Sequence, residues 1–142
     1  SFDHLGFVSQ RTGGTVQGLN SLAYAFKQVG GTSQQAIGAV ESFSKAIREN
    51  QGVKSYVQSL GVDMTKPAEE QLLDFADKAN SGQYDVDFRK AGIAGISEED
   101  FKLLTQYSAK IKEFRAEYNA TTKALGIDSA KAAEASMAFQ RT

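Results

Sequence analysis

The stretch that decides the fold is residues 15–50, TVQGLNSLAYAFKQVGGTSQQAIGAVESFSKAIREN. In its first half Val16, Leu19, Leu22, Ala23, Phe26 and Val29 recur at spacings of three and four, which places them on one face of an α-helix. Gly30-Gly31 ends that helix, because glycine takes the left-handed conformation that closes a helix C-terminus. A second helix follows at once. Thr32 or Ser33 caps it, and Ala36, Ile37, Val40, Phe43 and Ile47 form its buried stripe.

Upstream of this stretch, Phe2, Leu5, Phe7 and Val8 predict a short apolar helix ending near Thr12-Gly13-Gly14. Downstream, Asn50-Gln51-Gly52 breaks the second helix, and Val53, Tyr56, Val57 and Leu60 make a shorter third. Pro67 sits in the first turn of a fourth, with Glu69 and Glu70 near its positive end. The inner face of that helix is Leu72, Leu73, Phe75, Ala76 and Ala79. Ser81-Gly82 ends it, and a short piece follows through Tyr84, Val86 and Phe88.

Ser97-Glu98-Glu99-Asp100 is a helix start, a hydroxyl cap followed by acids in the first turn. From there one helix is expected to run to Leu125, a length of about 43 Å at the standard rise. Its register of Leu104, Tyr107, Ile111, Phe114, Tyr118, Thr121 and Leu125 alternates steps of three and four, as a heptad does. A long helix packed on its own core gives nearly the same line as a coiled-coil partner, and the packed reading is preferred. Leu60-Gly61-Val62-Asp63, Ala91-Gly92-Ile93 and Leu125-Gly126-Ile127-Asp128 each read as a glycine-closed helix end whose next aliphatic residue packs back. The expected fold is all-α, a compact multi-helix module of about six to eight helices with one long helix near residues 97–125. It reads as a single helical domain over 1–142, divisible into a short-helix half 1–62 and a long-helix half 63–142.

Composition narrows the function classes. Apolar residues make up 41% of the 142, enough for a packed core and too many for a disordered chain. Sixteen Lys and Arg against seventeen Asp and Glu leave a net charge near −1, which argues against a general binder of nucleic acid. The chain has no cysteine, so thiolate catalysis and cysteine-held zinc are excluded. No stretch approaches the roughly 20 apolar residues of a membrane span. The opening Ser1-Phe2-Asp3, with no initiator Met, reads as a cut from a longer protein.

No catalytic, cofactor-binding or metal-binding residue is expected. His4 is the only histidine, and a lone histidine without a cysteine or a second histidine reads as structural or exposed. Gly13-Gly14 lacks the Lys-Ser/Thr of a phosphate loop, and Gly30-Gly31 follows a helix where a dinucleotide fold needs a strand. Glu41-Ser42 is similar to the Glu-Ser pair of lytic transglycosylases. Those enzymes follow it with a Gly-Leu-Met-Gln segment, and residues 52–61, GVKSYVQSLG, lack it. Glu69-Glu70 and Glu98-Glu99-Asp100 are explained by the dipoles of the helices they begin. Lys102, Lys110, Lys112, Arg115 and Lys123, alternating with Glu113 and Glu117, read as a solvated face. Tyr107, Phe114 and Tyr118 read as core aromatics rather than a platform for bases.

The N-terminal half resembles a segment of phage and prophage tail tape-measure proteins. The resemblance is carried by Phe2-Asp3-His4-Leu5, then by Phe7-Val8-Ser9-Gln10-Arg11-Thr12-Gly13. It continues through Leu19-x-x-Leu22-Ala23-Tyr24-Ala25, Gln28-Val29-Gly30-Gly31, Glu41-Ser42-Phe43, Arg48-Glu49-Asn50 and the SLGV of Ser59 to Val62. A looser likeness extends through Leu72–Lys78 and the KAGIAGISEEDFKLL of Lys90–Leu104. The resemblance implies a structural virion protein, lying inside the phage tail and made in the bacterial cytoplasm. It implies partners among tail-tube, tail-tip and tail-assembly chaperone proteins, with association of the chain with itself a further expectation. It supplies no catalytic residues, no cofactor, no small-molecule substrate and no nucleic-acid partner. A ruler is extended, whereas the glycines here cut the chain into short helices, so the expectation is a compact module within or at one end of a longer ruler. The rival expectations are a fragment of a phage peptidoglycan hydrolase of the lytic transglycosylase or lysozyme kind, and a helical adaptor that binds a partner helix through the Leu104–Leu125 stripe.

Overall fold

The glycine pair at 30–31 and the caps on either side of it set the first corner of the molecule. A computed structural model describes residues 2–126, with side chains from residue 4. Among them are eight helices and no strand: α1 Phe2–Thr12, α2 Val16–Gln28, α3 Ser33–Glu49, α4 Gln51–Ser59, α5 Ala68–Asn80, α6 Phe88–Ile93, α7 Glu98–Gln106 and α8 Ser108–Ala124. The all-α compact module is therefore what forms.

The early helices are set off by side-chain caps and a glycine turn, of which the cap on α3 and the glycine stop were predicted. The Thr15 hydroxyl accepts from the Gly18 amide at the start of α2. Thr32 and Gln35 form a reciprocal capping box at the start of α3. Gly30, between the two, has φ +95, a conformation that a residue with a Cβ adopts only under strain. The predicted break falls at Asn50, which ends α3 and caps α4 with its side chain, so Gln51 and Gly52 already lie inside α4. Pro67 stands at the N-cap of α5, one residue before the first turn.

The core lies where α2, α3, α4 and α5 converge. Leu19, Leu22, Phe26, Val40, Phe43 and Phe75 are fully buried there. The Phe43 and Phe75 rings stand 5.6 Å apart, centroid to centroid. Buried residues from Leu5 to Ile111 form one continuous cluster, drawing on both sides of residue 62.

Three further expectations about the helices need correction. The long helix over 97–125 is two helices, broken at Tyr107, whose backbone (φ −109, ψ 23) leaves helical geometry. No glycine or proline marks the break. Side chains of α5 hold the corner instead: Asn80 donates to the Thr105 carbonyl at 3.0 Å, and Asp77 accepts from the Ser108 hydroxyl at 3.0 Å. Of the predicted line, Leu104, Ile111 and Tyr118 are buried and Phe114 packs on the core, while Tyr107 and Leu125 are exposed and Thr122 is buried in place of Thr121.

Second, the glycine that closes α6 is Gly95, with φ +84, and not Gly92. The Ile96 amide returns to the Ala91 carbonyl at 2.9 Å, so Ile96 packs back and Ile93 faces solvent. Gly95 also lies against the Ser42 carbonyl of α3, where a Cβ would collide with backbone. Third, Phe7 points outward, although Leu5 and Val8 on the same helix are buried. Gly61 (φ +88) with Val62 forms the predicted closure; in Leu125-Gly126-Ile127-Asp128, Gly126 has φ +65, and Ile127 and Asp128 lie outside the described residues.

Candidate functional site

Two places gather polar side chains from distant parts of the chain. The first is the N-terminus of α2. Glu69, from the first turn of α5, is almost fully buried, and its carboxylate turns away from its own helix. It accepts from the Thr15 amide at 3.2 Å and from the Thr15 hydroxyl at 2.8 Å. Gly14 and Gly18 make room for it, since a Cβ at either would press on the carboxylate. A buried carboxyl group thus sits where the amides and dipole of α2 favour negative charge. Glu69 lies in the first turn of α5, as expected, and its carboxylate also meets the N-terminus of α2.

Glu70, its neighbour, also serves another helix. It accepts from Arg115 of α8 at 2.6 Å, and the same guanidinium donates to the Ser21 hydroxyl at 3.0 Å. Arg115 is mostly buried, so it leaves the solvated face on which the charge pattern placed it. Lys110–Glu113 does lie on that face, and Lys112 reaches Asp77 of α5. Between α2 and α8, Asn20 donates to the Tyr118 hydroxyl, Gln17 to Asn119, and the Tyr24 hydroxyl to Glu117 at 3.0 Å. Burial, with the hydrogen bond to the Glu117 carboxylate and its charge, raises the Tyr24 phenol above its usual range. At the other end, burial raises the Asp100 carboxyl, against the lowering effect of the Ser97 hydroxyl.

The second place is an open groove of about 800 Å³ between α1 and α3, floored by α2. One face of α3, from Ser33 through Ile37, Glu41 and Lys45 to Arg48, forms one wall. His4 and Arg11 of α1 stand opposite, and Ala23 lies at the floor. A smaller hollow adjoins it, sharing Arg11 and Arg48 and adding Lys54.

His4 and Glu41, the two side chains weighed for catalysis, therefore line the same groove. Glu41 is engaged by Arg11 at 2.8 Å, and the Arg48 guanidinium donates to the Arg11 carbonyl at 3.3 Å. Among the described residues no three His, Cys, Asp or Glu side chains are grouped to hold a metal ion. No described helix is long and apolar enough to cross a membrane. The α3 wall does not read as a site from the sequence, though Glu41, Lys45 and Arg48 recur there at spacings of three and four. Nor does the opposing wall, because nothing local in α1 shows which helix it will meet. Comparison with family models, curated proteins and solved structures returns no match for this chain.

Proposed function

We propose that this chain is a structural, non-catalytic module of a phage or prophage tail tape-measure protein, acting in tail assembly. The observation that carries the reading is the resemblance over Phe2–Val62, with its looser continuation to Leu104. Leu19, Leu22 and Ala23 of that run are buried and Gly30 closes a helix, so the shared positions are ones that specify packing. The compact arrangement of short helices suits a folded module rather than an extended rod. Its partners on this reading are tail-tube, tail-tip and assembly-chaperone proteins.

The test is an in-frame deletion of the codons for residues 2–126 from the gene that encodes the chain, with tails measured by electron microscopy. Tails that are missing, or shortened, are expected. A rod segment would shorten them by about 1.5 Å per deleted residue, and a compact module by less. Tails of unchanged number and length overturn the proposal.

A further inference from the structure

We propose that the groove between α1 and α3 is a docking site for an acidic amphipathic helix of another protein. The inference stands on the groove alone and is independent of the tape-measure reading.

Shape comes first. The wall from Ser33 to Arg48 is one continuous face of α3, repeating at three and four residues. Its length is roughly 22 Å at the helical rise per residue, which matches a helix of about fifteen residues better than a small molecule. Two helices with a third as floor present the concave, elongated surface that a helix enters. Leu5, Ala23 and Ile37 reach the floor beside Asn20 but are only 3–8% exposed, so they offer a narrow apolar strip, and Gly38 adds no side chain to the wall above it. The Gly38 position is open: a Cβ built there meets nothing within 4 Å.

Charge selects the occupant. Arg11, Lys45 and Arg48 line the groove against a single carboxylate, Glu41, which Arg11 already engages. Lys54 continues the positive strip in the adjoining hollow. Neither Lys45 nor Lys54 forms an ion pair with any described residue, so both are available to a partner. This cationic strip stands on a chain of net charge −1, so it is a local concentration of charge and not a property of the whole surface. An apolar stripe for the floor and a flank of Glu or Asp for the strip are what the groove complements. The charges supply rate and orientation, and the narrow floor adds a smaller apolar contact.

Three labelled fifteen-residue peptides test this against the full chain by fluorescence polarisation. One is amphipathic with Leu and Ala on one face and Glu on the other. The second carries Lys for Glu, and the third has the acidic composition in scrambled order. The acidic amphipathic peptide is expected to bind, more weakly as salt rises, and the other two to bind far less. Lys45→Glu with Arg48→Glu, both exposed and outside the core, is expected to weaken binding at least about tenfold. Gly38→Leu is expected to block the groove sterically with no change of charge. Melting curves by circular dichroism check that both variants fold. Failure of the acidic peptide to bind overturns the proposal, as does binding that neither variant weakens or equal binding of the scrambled peptide. The proposal is also overturned if a single-stranded oligonucleotide alone binds with that sensitivity, or if the groove closes by association of the chain with itself.

Discussion

Helix α2 has two working faces, and they are held by different physics. One face, with Leu19, Leu22 and Phe26, enters a dry core against Phe43 of α3 and Phe75 of α5. The other face meets α8 through Gln17, Asn20, Ser21 and Tyr24, each hydrogen-bonded to a side chain about a hundred residues away in sequence. The first face gains its stability from area removed from water, and near neighbours can replace one another. The second depends on matched donors and acceptors, where losing one partner strands the other. The same helix is thus tolerant on one side and particular on the other.

The largest effect is expected on the dry side. Phe43→Ala removes a fully buried ring that packs on Phe75, and should cost about 3–5 kcal/mol through lost burial and the cavity left behind. Domains of this size have only about 5–15 kcal/mol in total, so urea titration should show the midpoint collapse or the folded baseline vanish. A cost under about 1 kcal/mol would mean the core is not where the burial places it.

The two faces converge at the N-terminus of α2, and there the sign of a substitution is the test. Alanine in place of a helical glycine ordinarily stabilises by roughly 0.5–1 kcal/mol. At Gly18 a Cβ would collide with the Glu69 carboxylate, which is buried and bonded to Thr15. Gly18→Ala should therefore destabilise, by about 1–3 kcal/mol. Gly38→Ala, in open space on α3, should show the ordinary gain. If both substitutions stabilise, Glu69 is not seated where its hydrogen bonds put it.

On the polar seam, Tyr118→Phe removes the hydroxyl that accepts from Asn20 and leaves a nearly buried amide short of a partner. The expected loss is about 1–2 kcal/mol, with no cavity to add to it. A double-mutant cycle with Asn20→Ala should show coupling of about 0.5–1 kcal/mol or more between the two sites. Additive losses would reduce the seam to simple packing.

This difference between the faces is also why the sequence was legible in one place and not in the other. Apolar periodicity is local: Leu19, Leu22 and Phe26, or Val40 and Phe43, declare their face within two turns. Caps are equally local, and Thr32 and Ser97 stand where their chemistry predicts. Polar pairing at long range has no such signature. Arg115 in a charged stretch looks solvated until Glu70 and Ser21 are brought to it, and the corner at Tyr107 depends on Asp77 and Asn80 from another helix. In the repeated Gly-Ile of residues 92–96, local rules permit closure at either glycine. What decides for Gly95 is the close approach of α3. The groove belongs with the polar pairs: it needs α1 and α3 brought together, and neither wall announces the other locally.

The smallest expected effects come from two tyrosines, one on each side. Tyr24 at the seam donates to Glu117, so Tyr24→Phe should cost about 0.5–1 kcal/mol. Tyr56 packs edge-on against Phe75 in the core, and its buried hydroxyl has no hydrogen-bond partner among the described residues. Tyr56→Phe removes that unmet group and should be neutral or slightly stabilising. Burial first, and then Glu117, raises Tyr24; burial raises Tyr56 against the opposing charge of Lys90. For a phenol whose folded value lies above its unfolded value of about 10.0, the unfolded chain loses its proton first as pH rises. The stability each contributes is therefore whole below pH 10.0 and is lost as pH climbs through the folded value. Chemical denaturation between pH 8 and 11 should show the wild-type chain weakening more steeply than either Phe variant. The two variants should differ in their offset at pH 8, where only Tyr24→Phe starts lower. Equal offsets would mean that the hydroxyl at the seam and the hydroxyl in the core are worth the same, and the distinction between the two faces of α2 would not extend to single groups.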